Sequence, residues 1–185
     1  MESRDSKGLT EKEFLAAYAK KNYPRPYLTA DVLLLSEDRS RVLLVKRKSH
    51  PYLGKWALPG GFSVQEESLE ETALREMREE TGIEDLLPED IHEIGIFSKP
   101  GRDPRGWVVT GAYMALVDPG KMRVKAGDDA ADAGWFSIIH QDDGTFVLRK
   151  DDKTLLTSDL AGAEPGLRKM ELRAGRCFQD MLSPV

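Results

Sequence analysis

Residues 60–83 read GGFSVQEESLEETALREMREETGI, and the fold is decided here. The pair Gly60-Gly61 after Pro59 signals a tight turn. Ser68 followed three residues later by Glu71 is a capping-box pattern, and Gly82 stands where a left-handed residue ends a helix. The spacing therefore predicts a helix that begins near Ser68 and ends at Gly82. Leu69, Ala73, Leu74 and Met77 supply its apolar side. Glu76, Glu79 and Glu80 stand at i, i+3 and i+4, so three carboxylates project from neighbouring turns of one face. Like charges at that spacing cost a helix roughly a few tenths of a kcal/mol each, and no basic residue follows four positions after Glu80. A cation is expected on this face, and hard oxygen ligands suit Mg²⁺ or Mn²⁺, ions that bridge carboxylates to phosphates. For an arbitrary glutamate-rich helix the plainer reading, a solvated acidic face, would be preferred.

Working outward, Thr10 and Glu13 form a second capping box, with Phe14, Leu15, Ala17 and Tyr18 at helical spacing over residues 10–20. Pro24 and Pro26 end that helix. YLTADVLLLS (27–36) and RVLLVKR (41–47), separated by the polar turn Glu37-Asp38-Arg39-Ser40, read as a hairpin of core strands. WALPGGF (56–62) closes in the Pro-Gly-Gly turn. Downstream, IHEIGIF (91–97), WVVTGAYMALV (107–117) and GWFSII (134–139) read as further strands joined by polar loops. DDGTFVLRKDDKTLLTSD (142–159) fits one more hairpin turning at Asp151-Asp152, and Leu167 to Met181 fits a helix.

The 185 residues suffice for one core, and no apolar run approaches the ~20 residues of a membrane span. The charged first twenty residues do not read as a secretory signal, so the expected location is the cytoplasm. The lone cysteine, Cys177, excludes an internal disulfide, and His50, His92 and His140 are too scattered for a zinc set. With 27 basic and 32 acidic residues the net charge is -5, which offers no general attraction to nucleic acid or an acidic membrane.

Gly61, five residues, Glu67, seven residues and then Arg75-Glu76-Met77-Arg78-Glu79-Glu80-Thr81-Gly82-Ile83 resembles the Nudix box, with every fixed position and both aliphatic positions filled. A chance match is on the order of 10⁻¹⁰ per starting point, which overturns the solvated-face reading. The resemblance implies an α/β fold, a mixed β-sheet sandwiched between helices, over residues 24–140. Residues 1–23 would form an N-terminal helical extension, and residues 141–185 a C-terminal extension packed on the same domain. It further implies a hydrolase that cuts a diphosphate bond with Mg²⁺ or Mn²⁺ held by Glu76, Glu79, Glu80 and the backbone carbonyl of Gly60. In the family a Glu67–Arg75 ion pair would hold the loop on the helix; Arg75 is also placed to pair with Glu71 at i+4. The proton acceptor is either one of the three helix glutamates or an acid of the later loop AGDDAADAGWF, where Asp128, Asp129 and Asp132 stand in a region in which family members often carry glutamate. For that loop the plain alternative is a solvated turn.

The box says little about what is attached to the diphosphate. In SKPGRDPRGWVVTGAYMAL, Arg102 and Arg105 flank a proline turn and offer two guanidinium forks to phosphate or ribose, while Trp107 offers a stacking plane. The bland reading is a charged turn with Trp107 in the core. The stretch Arg102-Asp103-Pro104-Arg105-Gly106 is nevertheless similar to one in Nudix proteins that act on ADP-ribose and in related Nudix-derived regulators of NAD metabolism. RPYLTADVLLL, LLVKRKSHPYLGKWALPGGF and GDDAADAGWF resemble the same branch. Arg47, Arg102, Asp103, Arg105 and Trp107 are thus expected to bind substrate, and ADP-ribose cleavage to AMP and ribose 5-phosphate is the expected reaction. The alternatives are pyrophosphohydrolysis of a nucleoside triphosphate and a non-catalytic ADP-ribose-sensing regulator. The complete box and the short, mixed-charge stretch after His140 argue against a regulator with a DNA-binding winged helix. ADP-ribose members often pair, so a homodimer is a further expectation.

Overall fold

The computed structural model describes residues 3–122, 124–125, 130–140 and 146–155; the helix expected at 167–181 lies outside them. In chain order the elements are α1 (Glu11–Tyr18), β1 (Tyr27–Ser36), β2 (Arg41–Arg47), β3 (Trp56–Ala57), β4 (Gly60–Phe62), α2 (Leu69–Thr81), β5 (His92–Phe97), β6 (Val108–Val117), β7 (Ala130–His140), β8 (Phe146–Lys150) and β9 (Lys153–Leu155). They build a mixed sheet ordered β5-β6-β1-β2-β7-β8-β9, with β3 on β2 and β4 on β1. The α/β architecture expected from the sequence is present. β8 and β9 turn at Asp151, whose φ of 53° suits a tight hairpin, and they carry the sheet beyond residue 140.

One expectation needs correcting in detail. β1 and β2 meet as a hairpin only at Leu35–Val42, and β1 instead runs parallel to β6 for ten residues, from Tyr27–Val108 to Ser36–Val117. The two strands separate because the chain after β2 folds back between them. β3 pairs with β2 at Val45 and Lys46, and β4 pairs with β1 at Thr29, Ala30 and Asp31. All of β1 stays in the sheet through β6, and on its other edge the N-terminal half takes Gly60 and Gly61 as partners in place of β2.

Strand alternation divides β1 between two cores. Ala30, Val32 and Leu34 pack with Ala73, Leu74 and Met77 of α2, together with Ile83, Leu86, Ile91 and Tyr113. Leu33 and Leu35 face the other way, into a cluster of Val42, Leu44, Trp56, Met114 and Phe136. Fixing Met77 and Ile83 in the first core holds the acidic face of α2 turned away from it.

Both helices have the predicted start. Thr10 caps α1 and Ser68 caps α2 with complete capping boxes, and Gly82 ends α2 at φ 71°. Ser68 Oγ accepts from Glu71 N at 3.2 Å, and Glu71 returns a carboxylate to Ser68 N at 2.8 Å. Ser68→Ala is expected to lower stability by about 1 kcal/mol, read as a lower urea midpoint with unchanged slope.

Candidate active site

The site is built on α2, on the glycine turn against it, and on the segment between β5 and β6. Arg75 ties the first two together. Its guanidinium donates to Glu67 twice (Nε 2.7 Å, Nη2 3.1 Å), to the Phe62 carbonyl (2.9 Å), to Glu76 (2.7 Å) and to Glu79 (3.3 Å). These hydrogen bonds hold the Glu67 carboxyl below the usual range, and they keep Arg75 firmly protonated. Arg75 therefore partners Glu67 rather than Glu71, and it supplies part of the positive charge that the glutamate face calls for.

The three glutamates stand in different surroundings. Glu79 is 59% exposed and, among the described residues, reaches Arg75 alone. Glu76 is largely enclosed by Arg75 and by Gly61, where even a methyl group would overlap its carboxylate. Glu80 accepts the Gly60 N–H at 3.0 Å, and burial, reinforced by the nearby charges of Glu76 and Asp31, raises its carboxyl to about 7. Among the described residues no three acidic or histidine side chains converge on one point. The donors still fit a divalent cation. They are hard oxygens, Glu80 and Glu76 repel one another, and the Gly61 cradle lets the backbone approach them closely.

Of the loop acids, Asp128 and Asp129 lie outside the described residues. Asp132 stands on β7 opposite Lys46, half-exposed and paired to Lys150 Nζ at 3.3 Å. It is engaged elsewhere rather than joined to the helix carboxylates.

The arginine segment folds into a compact turn. Asp103 takes the backbone N–H of Arg105 at 2.8 Å and its guanidinium at 2.9 and 2.7 Å, bonds that lower the Asp103 carboxyl and raise Arg105. Arg105 also covers the Phe62 ring at 4.5 Å, and Phe62 meets Tyr27 edge-on at 6.0 Å. Trp107 is 53% exposed, which rules out the core reading and leaves its ring facing solvent. Arg102 turns inward, giving Nη1 to Thr110 Oγ1 at 2.6 Å, while its Nε is buried without a hydrogen-bond partner among the described residues. Arg47 is braced by the Pro51 carbonyl at 2.8 Å.

Asp31 joins the two halves, and sequence reasoning missed it. It is only partly exposed, its Oδ1 crowds Gly60, and burial raises it to about 6 against the opposing pull of Arg102, Arg105 and Arg47. The signal was available: a carboxylate inside the apolar run YLTADVLLLS is out of place unless it has a task.

Comparisons with known proteins identify the fold that carries these residues. A NUDIX domain model matches residues 25–155. The ADP-ribose pyrophosphatase of Methanocaldococcus jannaschii is 39% identical over 135 residues, covering 73% of this chain and 75% of that protein. A MutT/nudix family protein from Enterococcus faecalis superposes with a TM-score of 0.69 at 40% identity, over 79% of this chain and 57% of that one. The NUDIX domain of Shewanella oneidensis NrtR, solved in complex with ADP ribose, superposes with a TM-score of 0.61 at 36% identity, over 70% and 84%. Because the matched region holds the whole sheet and carries the complete box on α2, the chain belongs to the Nudix family of hydrolases.

Proposed function

We propose that the protein hydrolyses ADP-ribose to AMP and ribose 5-phosphate with Mg²⁺ or Mn²⁺. The observation that carries this reading is the meeting of two kinds of side chain around Asp31: the buried glutamates of α2 on one side and Arg47, Arg102 and Arg105 on the other. The kinship with an ADP-ribose pyrophosphatase and an ADP-ribose-bound domain supports it. Nudix hydrolases use divalent metals. Here Glu76, Glu80, Glu79 and the Gly60 carbonyl would hold the ion, which when bound offsets diphosphate charge and makes a water more acidic.

The chain's own groups do the rest. Guanidinium groups of Arg47 and Arg105 grip phosphate oxygens, with Asp103 holding Arg105 in its pose, and Arg102 faces the ribose. Trp107, Tyr27 and Phe62 present exposed ring surface for the adenine. A carboxylate of Glu76, Glu79 or Glu80, or Asp129 of the later loop, takes the proton of the attacking water. That water's oxygen joins one phosphorus as the bridging oxygen leaves with the other phosphate.

The test incubates the protein with Mg²⁺ and a panel of ADP-ribose, NADH, diadenosine polyphosphates and nucleoside triphosphates. Formation of AMP and ribose 5-phosphate is expected, and a chelator should stop it. An untouched ADP-ribose beside a hydrolysed triphosphate would sink the proposal. If nothing turns over yet ADP-ribose raises the melting temperature, the chain is an ADP-ribose sensor, the role suggested by its NrtR relative.

A further inference from the structure

The groups that the box leaves unexplained gather around Asp31. It shares a strand face with Leu33 and Leu35, away from α2, and while its main chain pairs with β4 and β6, its carboxylate makes no hydrogen bond or ion pair among the described residues. Three arginines act on it electrostatically, yet each is occupied: Arg47 by Pro51, Arg105 by Asp103, and Arg102 by Thr110, whose hydroxyl is itself 2.6 Å from that of Thr29. The Arg102 Nε is buried with nothing to donate to. A carboxylate without a side-chain partner and a buried donor without one thus stand on the same stretch of sheet, Arg102 against Thr110 and Thr29, and Asp31 two residues along β1 from Thr29. Native proteins rarely leave a buried donor unsatisfied without a use.

Position decides which chemistry suits them. Asp31 Oδ1 lies against Gly60, and the Gly60 N–H is bound to Glu80. A diphosphate brought to the α2 glutamates therefore sets the group bonded to it beside Asp31. A carboxylate there accepts hydrogen bonds and repels anions. The hydroxyls of a sugar esterified to the diphosphate satisfy it, and a third phosphate does not.

We infer that Asp31 is a specificity-determining residue that selects sugar-capped diphosphates over nucleoside triphosphates. Its carboxylate accepts from a sugar hydroxyl, while the Arg102 Nε donates to an oxygen of the same moiety. This rests on the hydrolase reading above, in that the diphosphate lies at the box. Selectivity is then a matter of unlike partners: the wrong ligand leaves Asp31 unpaired and adds charge against it.

The experiment measures calorimetric affinities for ADP-ribose and ATP, with Ca²⁺ replacing Mg²⁺ to slow turnover, in the wild type, Asp31→Asn and Asp31→Ser. The wild type should prefer ADP-ribose. Each variant should shrink that preference by about ten- to a hundredfold, weakening ADP-ribose and strengthening ATP. An unchanged ratio in the folded variants, an equal loss for both ligands, or a wild type without preference overturns the inference. So does failure of both variants to fold, which would make Asp31 structural. A wild type that fails to hydrolyse ADP-ribose, while the affinity ratio still collapses in the variants, removes the hydrolase reading and keeps this one. Turnover of ADP-ribose with an unmoved ratio does the reverse.

Discussion

Glu80→Gln is expected to lower turnover on the order of 10³-fold while making the metal-free protein more stable at pH 8. The two effects have one cause. Burial, with the charges of Glu76 and Asp31 beside it and against the pull of the Gly60 N–H, penalises the Glu80 carboxylate and raises it from 4.5 to about 7. The folded-state value lies above the unfolded one, so between about pH 4.5 and 7 the native chain keeps a proton that the unfolded chain has released. Stability from this group is therefore greatest at low pH and falls as pH rises through 7, by up to about 3 kcal/mol. Asp31, raised to about 6, works in the same sense over its own lower window. Glutamine removes the charge and keeps an acceptor for the Gly60 N–H. Urea unfolding with a chelator should show the variant ahead of the wild type at pH 8 and level with it near pH 4. Divalent cation should reverse the order at pH 8, because only the wild type gains a strong ligand. Near-wild-type turnover in a folded variant would remove Glu80 from the metal site.

The adjacent glycines should fail in opposite ways when each is changed to alanine. A Cβ on Gly60 meets the Ala30 carbonyl oxygen and the Asp31 main chain, at a φ of 157° that side chains rarely adopt. Backbone cannot step aside, so Gly60→Ala is expected to cost about 3 kcal/mol and to lower the melting temperature markedly. The three atoms nearest a Cβ on Gly61 all belong to the carboxylate end of Glu76. A flexible end can swing away, so Gly61→Ala should melt within a few degrees of wild type. The same swing breaks the Glu76–Arg75 contact and moves a proposed metal ligand, for an expected loss of about a hundredfold or more in kcat. Equal melting temperatures for the two variants would contradict this account.

How far the sequence could be read depended on whether the deciding interaction was local. α2 was legible at both ends because a capping box and a left-handed glycine are chemical marks lying within a few residues of the boundary they set. The strands were legible from their β-branched runs. The partner of β1 was not, since its parallel neighbour lies about 80 residues on and no turn announces it. The same limit applies at the site. The three glutamates share a helix face and could be grouped by spacing, whereas the inward turn of Arg102, the exposure of Trp107 and the place of Asp31 depend on strands meeting across the sheet. Asp132 sat in a promising acidic loop, and only the pairing of β7 with β8 reveals its commitment to Lys150.

The divergence of β1 from β2 also has a consequence for how such a protein can change. The carboxylates proposed for hydrolysis, Glu76, Glu79 and Glu80, come from α2 on one face of the sheet, and the arginine turn comes from residues 102–107 at the other, with Asp31 and Gly60 as the seam. The turn leans on the sheet through Arg102–Thr110 and on Phe62 through Arg105, and it makes no hydrogen bond to α2 among the described residues. If the proposed roles hold, a graft that replaced this turn would rewrite recognition and leave the cutting apparatus in place, and one scaffold could be retailored to new diphosphates by exchanging a handful of residues.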